Sequence, residues 1–174
     1  VLFQSPFTLH DMIMKAIERE TFNALGGKKA EIIAKMNSLV ENQVIRALYR
    51  ASQAGVKITL IVRGSCALRP QLPGISDNIT VKSVVGRFLE HHRVFYFYDS
   101  GNEDVFIASA DWMKRNFFKR VETCIPILNS RIKRRVIDES LKLYIQDNVN
   151  SWQMDADGNY HKVAIVGKRV AAQD

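Results

Sequence analysis

AEIIAKMNSLVENQVIRALYRASQAGVKITLIV, residues 30–62, decides the fold class. Ala30 to Met36 is a short run with β-branched residues directly after a turn of Gly26-Gly27-Lys28-Lys29, which suits a buried strand better than a helix. Val44, Ile45, Ala47, Leu48 and Ala51 then recur at helical spacing as far as Gly55, and Val56 to Val62 is a second apolar run around Lys57 and Thr59. Strand, helix and strand with short connections predict a parallel pair joined by a right-handed crossover.

On the N-terminal side, Met12-Ile13, Ala16-Ile17 and Phe22 predict a helix over residues 8–25, with Thr8 as its N-cap and Gly26-Gly27 as its stop. On the C-terminal side, Pro70, Pro73-Gly74 and Ser76-Asp77-Asn78 mark a long loop over residues 64–78, a length that in a compact domain is usually functional. Residues 79–85, 93–98 and 105–108 read as strands, the last two joined as a hairpin through Asp99-Ser100-Gly101-Asn102, and residues 120–128 read as another. Ser130 is positioned to cap a helix whose apolar stripe is Ile132, Val136-Ile137, Leu141 and Tyr144-Ile145. Beyond Asn148, two short extended pieces flank a turn at residues 155–159. The expectation is one α/β domain over residues 1–174, a core of about 5–148 with a tail at 149–174, built on a mixed, largely parallel β-sheet flanked by helices.

A chain of 174 residues with 47% hydrophobic content is long enough to bury one ordinary core. Its apolar stretches are interrupted by Arg63, Glu90 or Arg120, so no transmembrane span is expected, and residues 1–6 lack the basic leader of a signal peptide. Cys66 and Cys124 stand far apart with no second ligand at metal spacing, which argues against both a disulfide framework and a zinc site. The net charge of +7 favours polyanions such as phosphate chains, nucleic acid or acidic lipid without choosing among them. Much of it lies in Lys114, Arg115, Lys119, Arg120, Arg131, Lys133, Arg134 and Arg135, which also read as a solvated face that keeps the protein soluble. Four of those load the start of the helix after Ser130, where cations oppose the macrodipole.

Two stretches carry chemistry. In Gly86 to Tyr96, His91 and Arg93 lie two residues apart just before a strand, so an imidazole can stand beside a guanidinium that grips phosphate oxygens. Imidazole serves as acid, base or nucleophile near neutral pH, although His91 and His92 equally suit polar strand-edge positions. Ser109, Asp111, Arg115 and Asn116 follow a strand and read as a phosphate cradle or as an exposed helix start. Lys35 and Asn37, at the end of the first strand, can line the same site because ligands of open α/β sheets gather at strand C-terminal ends. Trp112 and Phe117-Phe118 suit core or interface positions better than nucleotide stacking, and His10 and His161 have no such neighbourhood.

Five ordered blocks, residues 33–40, 60–64, 73–79, 86–93 and 109–116, resemble successive blocks of the C-terminal catalytic domain of the bacterial polyphosphate kinase family, with the resemblance running from about Ser5 to about Asn148. It implies a phospholipase D-like fold in which two similar α/β domains face each other and each gives one histidine. His91 would be the second of these, touching the transferred phosphoryl group as acid or base, and Arg63 and Arg93 would hold phosphate. ATP or ADP and inorganic polyphosphate are the implied ligands. The phospho-accepting histidine and the Mg2+-associated arginines are implied to lie in a preceding domain, the implied partner. A cytoplasmic protein, at most peripheral to the inner membrane, is expected; homo-oligomerisation is open, and nucleic acid is not expected as a partner. Two departures bear on the phosphodiesterase branch of the same fold: Arg93 stands where a phospholipase D motif has Lys, and Ala108-Ser109 where it has Gly-Ser. A phospholipase D-like nuclease or lipid hydrolase, and a non-catalytic polyanion-binding module, remain as alternatives.

Overall fold

A computed structural model describes residues 2–174. In chain order the elements are β1 (Phe3–Gln4), α1 (Leu9–Leu25), β2 (Glu31–Met36), α2 (Asn42–Gln53), β3 (Lys57–Val62), β4 (Ile79–Val84), β5 (Arg93–Phe97), β6 (Asp104–Ala108), α3 (Lys114–Phe118), β7 (Thr123–Pro126), α4 (Ser130–Ile137), α5 (Leu143–Gln146), β8 (Ser151–Met154) and β9 (Tyr160–Lys162). A π-helical turn, Asp138–Lys142, joins α4 to α5.

All of these strands form one sheet in the order β1-β7-β6-β5-β2-β3-β4-β8-β9. The sheet is mixed as expected, but its parallel part is confined to the centre, β2-β3-β4. Every other pairing is antiparallel, and within these β5-β6 and β8-β9 are hairpins whose connections are too short for a crossover. Three strands fall outside the residues expected to form the core. β1 pairs with β7 through Phe3↔Cys124, and the stretch read as a tail contributes β8, paired with β4, and β9.

Alternation along the central strands builds two cores. Ile32, Ala34, Met36, Leu60, Val62, Phe95 and Phe97 point to one face and meet Leu9, Ile13 and Ile17 of α1 with Val44 and Leu48 of α2. Ile33, Ile61, Val94 and Tyr96 point to the other and meet Ile137, Leu141 and Tyr144. Each such fully buried aliphatic side chain contributes about 1.5–3 kcal/mol.

The helix ends differ in detail from the sequence expectation. Thr8 does sit at the N-cap of α1, but its hydroxyl turns back to Gln4 and caps no helical N–H. The cap of α4 is Asn129, not Ser130: its Oδ1 accepts from Ile132 N at 3.0 Å. The 64–78 loop folds on itself, with Ser76 Oγ donating to Arg69 O at 2.7 Å and Gly74 N donating to Asp77 Oδ2 at 2.7 Å. Among the described residues no helix is long and apolar enough to cross a membrane.

One buried cation ties the second helical layer to the sheet. Lys82 of β4 donates to Ile145 O at 2.6 Å and Asp147 O at 2.9 Å, giving the carbonyls at the end of α5 the positive partner that a helix C-terminus favours. Since hydrogen bonds to a charged group contribute about 1.5–3 kcal/mol, Lys82→Met is expected to lower the unfolding free energy by about 2 kcal/mol in urea titrations; an unchanged midpoint would contradict this role.

Candidate functional site

The carboxyl ends of β2, β3, β4 and β6 and the amino end of β5 meet along one edge of the sheet, since Lys35 is opposite Val94 and Arg93 opposite Ala108. The loops that leave these strands are zipped together by their backbones. Leu39 N donates to Ser65 O at 2.8 Å, Ala67 N to Leu39 O at 2.9 Å, and Val40 N and Glu41 N both to Trp112 O at 3.0 Å. Gly64 belongs to this seam: a Cβ there would lie 2.9 Å from Asn37 O, so only glycine lets the end of β3 come this close.

At the seam sits the carboxylate of Asp111, 6% exposed. Its Oδ1 accepts from Asn37 N at 2.7 Å and from Arg93 Nε at 3.3 Å, and its Oδ2 accepts from Arg93 Nη2 at 3.2 Å. The remaining Arg93 nitrogen, Nη1, donates to His91 O at 2.7 Å. Asn37 in turn accepts Arg63 Nε on Oδ1 at 3.1 Å. Arg63, Asn37, Asp111, Arg93 and the His91 backbone therefore form one connected network. The imidazole of His91 is exposed, and neither it nor the Nη groups of Arg63 hydrogen-bond to a described residue. These two are unspent groups on the edge, as is the buried Asn37 Nδ2, which has no partner among the described residues.

Arg93, expected as a phosphate ligand, here makes its hydrogen bonds within the protein. Its guanidinium is committed to Asp111 and to the His91 carbonyl, so its local effect is to fix where the backbone presents His91. The cradle expected from Ser109, Asp111, Arg115 and Asn116 also divides. Ser109 Oγ donates to Glu122 Oε2, and Asn116 Nδ2 donates to Glu122 Oε1 at 2.7 Å, while Arg115 is exposed and unpaired among the described residues. The edge is also not lined by one cavity. A pocket of about 370 Å³ holds Arg63 with Gly64, Ser83, Val85, Trp152 and Tyr160, and another of about 370 Å³ holds His92 and Arg93 beneath Val136 and Ser140 of the α4 layer.

Lys35 lies in a second group of charges, of which Glu90 is the centre. Its carboxylate accepts from Lys35 Nζ at 2.8 Å, from Tyr144 OH, and from Gln173 Nε2 at 2.7 Å. Burial pulls the Lys35 ammonium below its usual value. Burial would raise the Glu90 carboxyl, but hydrogen bonds from Lys35 and Tyr144 outweigh it and hold the group below the ordinary carboxylate range. With three donors on one carboxylate, we take the pair as ionised at neutral pH. His92 Nδ1 stands 3.6 Å from Glu90, with its ring edge-on to Tyr144 at 5.4 Å. Sequence reasoning missed Glu90, Tyr144, Glu122 and Gln173; of these only Glu90 carried a local sign, its place beside His91.

The residues with no assigned role have ordinary surroundings. His10 faces Glu41 at 3.4 Å, His161 pairs with Asp155 at 2.6 Å, and Trp112 and Phe117 are fully buried. Among the described residues no group of three His, Cys, Asp or Glu side chains could hold a metal ion, and both site carboxylates are already filled by donors. The residues present do not fit a magnesium ion.

The mixed α/β sheet and its flanking helices have a phospholipase D-like fold. Nuc of Salmonella typhimurium, a phospholipase D family member, has this fold, with a TM-score of 0.63, 15% identity and coverage of 89% of this chain and 97% of Nuc. Within that class the chain belongs to the polyphosphate kinases: the family model of polyphosphate kinase C-terminal domain 2 matches residues 2–173. The polyphosphate kinase of Paraburkholderia phytofirmans is 60% identical over 161 residues, which is 92% of this chain and 23% of that protein. The crystal structure of polyphosphate kinase from Porphyromonas gingivalis superposes with a TM-score of 0.95 at 42% identity, covering 99% of this chain and 26% of that one. This chain therefore spans about a quarter of the length of its relatives.

The electrostatics of His92 give a pH test of this geometry. Burial first, then the neighbouring Lys35 and Arg93 cations, lower its pKa against the opposing pull of Glu90. Below about pH 6.5 the unfolded chain therefore binds more protons at this residue, and stability falls as pH drops through the window below that value. The urea midpoint of His92→Gln is expected to decline less than that of wild type between pH 7.5 and 5; parallel declines would show that the imidazole is not held neutral here.

Proposed function

We propose that this chain is the second phospholipase D-like domain of a longer polyphosphate kinase, and that its sheet edge serves reversible transfer of the terminal phosphoryl group of ATP to inorganic polyphosphate. The observation that carries the reading is the pairing of an exposed, unengaged His91 imidazole with an Arg63 guanidinium whose Nη groups are free, both fixed through the Asp111 network. Phosphoryl transfer needs alignment and stabilisation of charge on the equatorial oxygens more than covalent work by the protein, and fixed cations supply both.

In the proposed cycle the bond from the γ-phosphorus to the β–γ bridging oxygen breaks, ADP leaves, and a phosphorus–nitrogen bond forms to a histidine of the preceding domain. A terminal oxygen of polyphosphate then takes the phosphoryl group and frees that histidine. Arg63 holds phosphate charge through its two Nη groups, and His91 protonates or orients the moving phosphoryl group. Arg93 acts on the chemistry only through the backbone of His91. Mg2+ accompanying the nucleotide takes any protein ligands from outside this chain. The occupied Arg93, in the place where the phosphodiesterases of this fold carry Lys, weighs against a nuclease or lipase reading.

A second reading has its own support. Lys114, Arg115, Lys119, Arg120 and Arg131 form no ion pair among the described residues, and such a surface binds polyphosphate in a salt-sensitive manner whether or not His91 is present. The two are separated by rejoining the chain to the polypeptide that precedes it in the relatives and measuring ATP-dependent polyphosphate formation. His91→Ala is expected to lower kcat by on the order of 10²–10⁴-fold. Arg63→Ala is expected to raise KM for ATP by about 10- to 100-fold, the equivalent of charged hydrogen bonds lost. Activity of His91→Ala equal to wild type would remove this histidine from the mechanism and leave the polyanion-binding reading.

A further inference from the structure

Gln173 lies 82 residues beyond His91 in sequence, yet its side-chain amide is clipped onto the loop that carries His91. Oε1 accepts from Phe88 N at 2.8 Å, and Nε2 donates to Phe88 O at 2.9 Å, so the amide reads one residue's backbone as a neighbouring strand would. Nε2 also donates to Glu90 Oε1 at 2.7 Å, next to His91. The loop has space for this clip because residue 86 is glycine: a Cβ there would stand 2.4 Å from Gln173 Oε1 and 2.8 Å from its Cδ. Residues 85–89 otherwise have little to hold them, since Val85, Phe88 and Leu89 are all more than half exposed.

The segment that brings Gln173 to the loop is itself fixed at two points. Asn148 clamps it through Nδ2 to Lys168 O at 3.0 Å and through Oδ1 from Val170 N at 2.9 Å. Asp147 Oδ2 accepts from Ala172 N at 2.7 Å, while Asp147 Oδ1 accepts from Val149 N, Asn150 N and Ser151 Oγ where α5 gives way to β8. A continuous set of hydrogen bonds thus runs from the end of α5, through residues 168–173, to the carboxylate beside His91.

We infer that Gln173 is a positioning residue for the phosphoryl-transfer site: by holding Phe88 and Glu90 it sets where the loop presents His91. The inference rests on the proposed role of His91 and goes beyond it, assigning to a residue remote in sequence the preorganisation of that group. Gln173 touches no reacting atom. Its loss acts on the alignment of His91, hence on kcat, and leaves ATP binding through Arg63 nearly unchanged.

Two measurements test this. In the chain rejoined to its preceding polypeptide, Gln173→Ala is expected to lower kcat about tenfold with KM for ATP within about twofold, because a loosened site of otherwise intact composition loses roughly this factor or more. Gly86→Ala should reproduce the loss by displacing the amide, and the double variant should be no worse than either single one, since both break one interaction. In the chain as it stands, amide hydrogen exchange at residues 86–91 should rise in Gln173→Ala while exchange in β2 and β3 stays unchanged. Unchanged exchange at 86–91 overturns the clip. Raised exchange with wild-type kcat overturns the positioning role. Full activity of His91→Ala would instead defeat the reading of His91 itself, a result the exchange measurement does not depend on.

Discussion

The Asp111 carboxylate is the point on which the site depends. Three loops converge on it, because it accepts the Asn37 N–H after β2, grips Arg93 at the start of β5, and leads through Asn37 to Arg63 after β3. A buried carboxylate is costly unless its oxygens are filled, and here the filling groups are the ones that must be aligned. The same bonds that remove the cost of burial fix Arg63 and the His91 backbone on one edge of the sheet. This also explains why an arginine serves at position 93: its fork reaches both carboxylate oxygens and a carbonyl at once, which a single ammonium cannot do with the same planarity.

A second carboxylate, Glu90, does comparable work on the other side of His91. Lys35 rises from the floor of the sheet, Tyr144 reaches down from α5, and Gln173 arrives from the far end of the described chain. Lys82 connects this group to the fold by holding the carbonyls that end α5. His91 is therefore flanked by two neutralised charge clusters while its own ring is left exposed. That division, with fixed surroundings and a free imidazole, suits the proposed role of His91. The solvent-facing Val85, Phe88 and Leu89 beside it add to the sense of an incomplete surface.

Much of this was legible in the residues and some was not, for reasons of range. The β2-α2-β3 unit was readable because its periodicities are local, and the His91-x-Arg93 corner because two functional types stand two positions apart. The roles within the corner were not readable. Arg93 and Asp111 lie 18 residues apart and Asn37 and Asp111 lie 74 apart, so only the folded chain shows that the guanidinium is already taken. Glu90 depends on partners 54 to 83 positions away. Ser109 and Asn116 have the composition of an anion cradle, but they face Glu122, whose carboxylate uses the donors a phosphate would need. β1 is only two residues long, with no period to stand out, whereas the two extended pieces read beyond Asn148 are β8 and β9, whose attachment to the sheet through β4 is a long-range pairing that local pattern does not show. Asn129 and Ser130 are adjacent residues of equal capping ability, and the choice between them is made by backbone geometry at the entry to α4.

The measurement that bears most directly on the account is a crystal structure of this chain rejoined to the polypeptide preceding it, with a non-hydrolysable ATP analogue bound. The account predicts the triphosphate at the sheet edge, with its oxygens within hydrogen-bond distance of the Arg63 Nη groups and the γ-phosphoryl group beside the His91 imidazole, while Arg93 stays on Asp111. A triphosphate bound elsewhere, with Arg63 and His91 both left in solvent, would contradict it.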